Sequence, residues 1–458
     1  MIPMSLQDVA AAVDGQLVQA DPFAVIDAVT TDSREAGSGS LFIAVTGENH
    51  DGHDHVGAAL AAGALAALVS KPVDGPHILV GDTVEAAGRL ARAVVQALAH
   101  LQVVALTGSS GKTSTKDLLR VVLSAFGPTV APQGSFNNEL GLPRTVFGVT
   151  EQTRFLVAEM GARGKGHIHY LCQITPPDVA MVLNVGQAHV GEFGSRDAIA
   201  QAKSEIVQSL SADGVAVLND DDERVRQMAG VTPGRVVTFG QRETADVRIR
   251  ALDVEGGRPV VTLAYDQQEC QIRPDVYGEH QGYNIAAAVA AAVALGLDFM
   301  TAAQSLQGVR LDSRWRMEVA TSDQGVTVIN DAYNANPESM AAGLRALVQI
   351  GQGRRTWAVL GEMRELGPAA TDEHDAIGRL CVRLNVSRLI AVGDGARAIH
   401  MGAAHEGSWG EESMYVGTVD EAIAVLEREV QPGDVVLVKA SRAIGLERVA
   451  DALLGAGS

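Results

Sequence analysis

Cysteine is scarce, with three residues in a chain of 458, Cys172, Cys270 and Cys381, spaced about a hundred apart. An odd number at that spacing fits neither a disulfide framework nor a zinc site, so a reducing compartment is expected. Positive charge is also in short supply. Thirty-six Lys and Arg face 55 Asp and Glu, a net charge of −19, which leaves no overall field to hold a nucleic-acid backbone or an anionic membrane. Any phosphate ligand must be met by a local cluster of donors. Long apolar runs are missing too. The longest, 58–70 and 285–297, are rich in Ala and Gly and shorter than the ~18 residues a membrane span needs. The opening MIPMSLQDVAAAV has no basic stretch and carries Asp8 in its apolar part, so no secretory leader is expected. The absences point to a cytoplasmic protein, with no nucleic-acid partner and no membrane insertion.

What is present is an ordinary globular composition, 47% hydrophobic and 20% charged, which excludes wholesale disorder. At ~150 residues per domain, the length suggests about three domains. Leu6, Val9, Ala10 and Val13 recur at helical spacing, LFIAV (41–45) reads as a strand, and 56–63 and 84–98 read as helices. From residue 103 the alternation becomes regular. VVAL, a Gly/Ser loop and a helix with Leu118, Leu119, Val122 and Ala125 on one face form a β-loop-α unit. FLVAEMG (155–161), DVAMVLNVG (178–186) and GVAVLNDDD (214–222) are apolar runs that end in polar residues.

Continuous apolar strands alternating with helices predict a mostly parallel, doubly wound sheet, which binds ligands at the carboxyl ends of its strands. Shorter strands over 236–277 and an Ala-rich helix over 284–296 close this part. A second, smaller α/β unit follows, with strands at 326–331, 356–363, 388–394 and 434–441. The expected fold is α/β in three domains, 1–98, 99–312 and 313–458.

The sharpest motif is TGSSGKT, made of Thr107, Gly108, Ser109, Ser110, Gly111, Lys112 and Thr113, between a predicted strand and helix. Glycines let backbone N–H groups crowd round phosphate oxygens, and a helix N-terminus adds positive potential. Lys112 is placed for the β- and γ-phosphates, and the Thr113 hydroxyl for Mg²⁺. The loop is two residues shorter than the usual G-x-x-x-x-G-K-[ST]. A plain Gly-rich turn is the bland alternative.

Glu159 and His189 each fall just past a strand that would neighbour this loop, where a carboxylate and a neutral imidazole suit a metal. Lys203 lies in a helical stretch and reads by itself as a solvated helix lysine. Asn284 opens an apolar helix, so N-capping is its natural role, one compatible with an amide facing a base edge. Arg314 and Arg316 could meet a phosphoryl group, and Asp331 precedes the turn-rich AYNANP.

Together these strings resemble the ATP-dependent Mur ligases. TGSSGKT, EMG, NVGQAHV, the helix lysine, HQGYN, SRWRME and DAYNANPESM follow the order of that family, as does TDSR (31–34) with LFIAVTGENHDGHDHVGAALAAGA ahead of them. GSFNNELGLP (134–143), LGEMRELG (360–367) and GDVVLVKASRAIGLERV (433–449) resemble one branch closely. The resemblance implies an N-terminal domain for the UDP end of a substrate, a central ATPase and a C-terminal Rossmann-like domain.

It further implies that ATP phosphorylates the terminal carboxylate of UDP-N-acetylmuramoyl-tripeptide. The amine of D-alanyl-D-alanine then discharges the acyl phosphate. By resemblance, residues 107–113 hold the triphosphate of ATP, with Thr113 and Glu159 on Mg²⁺. His189 and Lys203 match positions that serve a second metal, and this lysine is often carbamylated in the family. Asn284 matches the adenine contact, Arg316 the γ-phosphate arginine and Asp331 the ribose-side acid. Ser33, Arg34, Asn137 and Asn138 resemble contacts to the UDP-sugar. The implied catalytic set is Lys112, His189, Lys203 and Arg316, in a monomer. The family often has a simple Gly-Arg pair where this chain has Ser313-Arg314-Trp315-Arg316, and the spacing to Glu318 favours Arg316.

Two rival classes remain. A folylpolyglutamate synthetase-like ligase shares the short loop, but would have it much nearer the N-terminus. A non-catalytic sensor of a cell-wall precursor would be marked by loss of Lys112 or Glu159, and both are present.

Overall fold

The structure is a computed structural model that describes residues 1–47, 50–187, 190–407, 410 and 412–455, and every count refers to those residues. It contains four sheets, of two, five, nine and six strands. The strands of the five-stranded sheet lie between Gln16 and Leu79, those of the nine-stranded one between Gln102 and Ile272, and those of the six-stranded one between Glu318 and Lys439.

The nine-stranded sheet places Gln102–Thr107 between Val179–Val182 and Phe155–Glu159. From Thr129–Val130 through to Val247–Glu255 all pairings are parallel. After Gln102–Thr107 the chain first builds one side of the sheet and then crosses to the other, so Thr107 stands at the topological switch point. Register brings three strand ends level there: Glu159 pairs with Leu106, and Val182 with Thr107.

The two faces of this sheet bury alternate residues, as a pleated strand requires. Val103 and Ala105 join a core that runs on into the first hundred residues through Leu6, Val9, Leu90 and Val94. Val104 and Leu106 pack on the other face with the helices Lys112–Ser124 and Gln281–Ala294. The second of these is buried on every side from Ile285 to Ala294, which explains its alanines: a helix with no solvent face needs small apolar residues all round.

Three expectations are corrected. The stretch after residue 236 is not one of short strands. Val247–Glu255 and Arg258–Tyr265 are nine and eight residues long, the longest in that sheet. They form an antiparallel meander with Gln268–Ile272, whose hairpin pairing frees strand length from the helical crossovers. Ala125 is not on the buried face of its helix but is its exposed C-cap. The helix containing Asn284 begins at Gln281, with His280 at the N-cap, so Asn284 is its fourth residue and caps nothing.

The six-stranded sheet runs in the order Glu318–Thr321, Thr327–Asn330, Val435–Lys439, Thr356–Leu360, Arg388–Val392 and Ser413–Val416. All its pairings are parallel except the first. Separate apolar clusters lie on its two faces. The whole is a three-domain α/β fold. Among the described residues no helix is long and apolar enough to cross a membrane.

Candidate active site

The loop after Gln102–Thr107 is held by one side chain from the neighbouring strand end. The Ser110 N–H donates to Asn184 Oδ1 at 2.9 Å, and Asn184 Nδ2 donates back to the Ser110 carbonyl at 3.1 Å. The Ser109 N–H donates to the Asn184 carbonyl at 3.1 Å. Gly111 then enters the helix with φ +78°, where a Cβ would stand 2.6 Å from Asn284 Oδ1. Only glycine tolerates both conditions. The Lys112 ammonium folds back onto the Gly108 carbonyl at 2.7 Å. Burial lowers its pKa, the Glu159 carboxylate opposes that shift, and the Arg316 charge adds to it. A cation spans a loop rich in N–H donors at a helix N-terminus, which is an anion cradle.

The loop opens into a cavity of about 1150 Å³ lined by the central and C-terminal domains. Glu159 is almost fully buried there. Its Oε1 accepts from Asn137 Nδ2 at 2.8 Å, and its buried Oε2 has no partner. The Thr113 hydroxyl lies 2.9 Å from Ser135 Oγ, which also accepts from the Arg316 guanidinium at 2.9 Å. A buried, half-satisfied carboxylate and a hydroxyl lining the same cavity are hard oxygen donors, and their chemistry fits Mg²⁺.

Arg316 stacks 4.2 Å above the Tyr333 ring and lines the cavity. Arg314 is exposed, stacks on Trp315 and does not line it. The two arginines diverge because the backbone turns sharply between them. Trp315 and Met317 have φ of 58° and 52°, values that cost a non-glycine residue about 1 kcal/mol or more. The Met317 N–H, donating to Asp331 Oδ1 at 3.1 Å, helps to hold that turn.

Asp331 follows Thr327–Asn330 and ion-pairs with Lys439 at 2.6 Å. Lys439 ends the adjacent strand and also donates to the Asn334 carbonyl at 2.9 Å. Lys203, expected on a solvated face by its local sequence, is instead 5% exposed and lines the cavity. Its pKa lies well below the ordinary lysine value, first through burial and then through the Lys112 charge. His189 lies outside the described residues. Among the described residues, no three His, Cys, Asp or Glu side chains are grouped to hold a metal. Asn284 lines the cavity with its Nδ2 donating to Gln281 Oε1 at 2.8 Å.

Asn137 and Asn138 line the cavity, whereas Ser33 and Arg34 do not. Arg34 points to solvent and pairs with Asp32. The segment carrying it approaches the 134–147 stretch through Glu35, 3.4 Å from Arg144. Sequence reasoning passed over Asn184, Lys439, Asn336 and Glu338. Asn184 and Lys439 had a usable signal, since each is a polar residue at the carboxyl end of an apolar strand. Asn336 and Glu338 sit in a turn-rich string, and only the folded chain brings them to the cavity.

A phosphate loop at a sheet switch point, facing a second α/β wall that carries Arg316 and the Asp331–Lys439 pair, defines a nucleotide-dependent enzyme with an interdomain site. Family descriptions match in the same order: the catalytic domain of the Mur ligase family over residues 25–109, the Mur ligase middle domain over 106–292, and the Mur ligase glutamate ligase domain over 315–442. A UDP-N-acetylmuramoyl-tripeptide–D-alanyl-D-alanine ligase of Mycobacterium tuberculosis is 45% identical, over 99% of this chain and 98% of its own. The crystal structure of MurF from Acinetobacter baumannii superposes with a TM-score of 0.90 at 33% identity, covering 99% of each chain. That of MurF from Thermotoga maritima in complex with ADP gives 0.80 at 30%, covering 93% of this chain and 97% of its own. The chain belongs to the Mur ligase family.

Proposed function

We propose that the chain is an ATP-dependent ligase that joins D-alanyl-D-alanine to UDP-N-acetylmuramoyl-tripeptide through an acyl phosphate. The reaction is a step of peptidoglycan precursor synthesis, and we assign it to the cytoplasm. The observation that carries this reading is the 45% identity, end to end, with a relative bearing that activity in its name. The site supports it chemically. ATP and a carboxylate repel each other, so bringing them together is chiefly positioning and charge neutralisation.

In this reading residues 107–113 cradle the triphosphate, with Lys112 meeting the β- and γ-phosphates and Arg316 the γ-phosphate. Asn284 faces adenine, and Asp331 lies on the ribose side. Glu159 and Thr113 would hold Mg²⁺, and His189 and Lys203 a second ion. When bound, Mg²⁺ neutralises phosphate charge. Lys203 fits that role as a carbamate, since an ammonium would be repelled by the ion whereas a carbamate oxygen is a hard ligand. Carbamylation needs the free amine, and a buried lysine with a depressed pKa supplies it. Asn137 orients Glu159. With Asn138, Ser33 and Arg34 it is assigned to the UDP-sugar end. Residues 1–98 are assigned as the UDP-substrate domain, 99–312 as the ATP-binding ligase domain and 313–458 as the Rossmann-like C-terminal domain. The cavity between the last two would exclude water from the acyl phosphate.

The test is product release. Purified protein with Mg²⁺ should release ADP only when both UDP-N-acetylmuramoyl-tripeptide and D-alanyl-D-alanine are present. Equal release with a folate and glutamate would overturn the reading.

A further inference from the structure

Among the described residues lining the cavity, Glu159 Oε2, His280 Nδ1 and Glu338 Oε2 are buried without a hydrogen-bond partner. Such atoms are costly unless a ligand or water meets them. Glu159 is taken up by the proposed Mg²⁺. His280 lies in the field of Asp331 and Lys439, on the ribose side. Glu338 has no role in the reading above.

It is the second residue of the helix Pro337–Gly351, whose capping box joins Asn336 and Ser339. Asn336 Nδ2 donates to the Ser109 carbonyl at 3.3 Å, so this turn sits on the phosphate loop. Glu338 Oε1 accepts the Gln187 N–H at 2.7 Å, across the domain boundary. The carboxylate is thereby fixed in place at the cavity wall with its second oxygen unpaired. Arg364, Lys439 and Arg442 line the same C-terminal wall as cations.

What meets Glu338 must be a donor, and preferably a charged one. ATP and the acyl phosphate bring anionic oxygens, which a carboxylate repels. An incoming amino acid or dipeptide brings an ammonium. The geometry points to Glu338 as the residue that receives the ammonium of the incoming D-alanyl-D-alanine and orients its nitrogen towards the phosphate-loop side of the cavity. The inference rests on the ligase reading and names the contact that selects its amine substrate.

The test is the Glu338→Gln enzyme, which keeps shape and an acceptor oxygen but removes the charge. The KM for D-alanyl-D-alanine should rise about ten- to a hundredfold, the range lost with a charge-assisted hydrogen bond. The KM values for ATP and for the UDP-linked peptide should change much less. Hydroxylamine, a small neutral nucleophile, separates the half-reactions. Its nitrogen bonds to the acyl carbon as the bond from that carbon to the phosphate oxygen breaks, releasing inorganic phosphate, which takes the proton the nitrogen loses, and giving a hydroxamate. The loss with the dipeptide should exceed the loss with hydroxylamine at least tenfold.

A folded variant with an unchanged dipeptide KM overturns the proposal. So does an equal loss with both nucleophiles, which would assign the carboxylate to acyl-phosphate formation or a metal. A rise confined to the KM for the UDP-linked peptide would assign it instead to an amine on that substrate. Should the Gln variant not fold, Glu338→Asp keeps the charge at a shorter reach, and the same split is expected at smaller size. If the unaltered protein shows no dipeptide-dependent ADP release, the ligase reading itself fails. An active protein with an indifferent variant sinks only the role of Glu338.

Discussion

The two walls of the cavity are built by different means. The phosphate loop is braced within its own domain, by Asn184 bonds to Ser109 and Ser110 and by Lys112 on Gly108. The C-terminal wall reaches that domain through contacts spread along the boundary, among them Arg316 to Ser135, Asn336 to Ser109, the Ser313 N–H to Asp117, the Gln187 N–H to Glu338, and the Gly191 N–H to the Glu365 carbonyl at 3.1 Å, with Val190 and Tyr277 packed on the C-terminal core. Several bonds converging on one short loop make a rigid cradle. Scattered single bonds, each worth about 1 kcal/mol net, can be broken and remade. The phosphate-loop side is therefore prebuilt, and the shape of the rest of the cavity depends on how the walls meet. A ligase with a water-sensitive intermediate needs that division.

The largest effect should come from the prebuilt wall. Lys112→Ala removes the point charge from the cradle, and turnover should fall a hundredfold or more, by analogy with loss of a charge-stabilising donor. Near-normal steady-state activity would reduce TGSSGKT to a turn.

Lys203→Ala should cost about ten- to a hundredfold in turnover, part of which a short carboxylate in solution should restore. Intact-mass measurement of native protein checks the cause by looking for the added carbon dioxide. An unmodified lysine, or a variant with unchanged turnover, breaks the assignment.

The wall-to-wall contact is tested at Gly191, where a Cβ would stand 2.5 Å from the Gly367 nitrogen. Gly191→Ala should slow turnover several-fold while leaving ATP affinity nearly intact, because the cradle does not depend on that contact. Equal losses in both, by kinetics and nucleotide titration, would erase the distinction between the walls.

The smallest effect concerns pH. His374 is buried, with Nε2 accepting the Met363 N–H at 2.8 Å and Nδ1 donating to the Ala370 carbonyl at 2.6 Å. It pins the loop that carries Arg364 and Glu365 to the cavity. Burial lowers its pKa, partly offset by the bond to Ala370. With the folded pKa below the unfolded one, the unfolded chain binds more protons in that window, so stability falls as pH drops through the ordinary imidazole range. His374→Gln should flatten that fall, shrinking the loss of Tm between neutral pH and about pH 5 by roughly 1–3 °C. An unchanged slope in thermal melts would remove His374 from the acid response.

Much of this was legible before folding. The β-loop-α unit around TGSSGKT announces itself because a phosphate loop is local, with its glycines, lysine and flanking strand all within a dozen residues. Apolar runs located the parallel strands because burial on both faces leaves no room for polar residues. Local pattern misled where burial was not local. Lys203 reads as a solvated helix lysine, and only the packing of its helix turns it into the cavity. Asn284 reads as a cap, but the helix starts three residues earlier.

The same contrast separates what the letters determine from what the fold decides. The sequence by itself determines the nucleotide cradle, the family and the chemistry to expect, because those reside in short contiguous strings. The spacing to Glu318 already favours Arg316 over Arg314, and the tertiary structure adds how the two part: two left-handed residues turn the backbone so that Arg316 lines the cavity and Arg314 does not. The tertiary structure alone decides that Glu338 meets Gln187 and that Asp331 meets Lys439. Those pairs stand more than a hundred residues apart in the chain, and no local propensity couples residues at that distance. Asp331 meets Lys439 because Thr327–Asn330 and Val435–Lys439 lie side by side in one sheet, and Glu338 meets Gln187 only because the two domains face each other across the cavity.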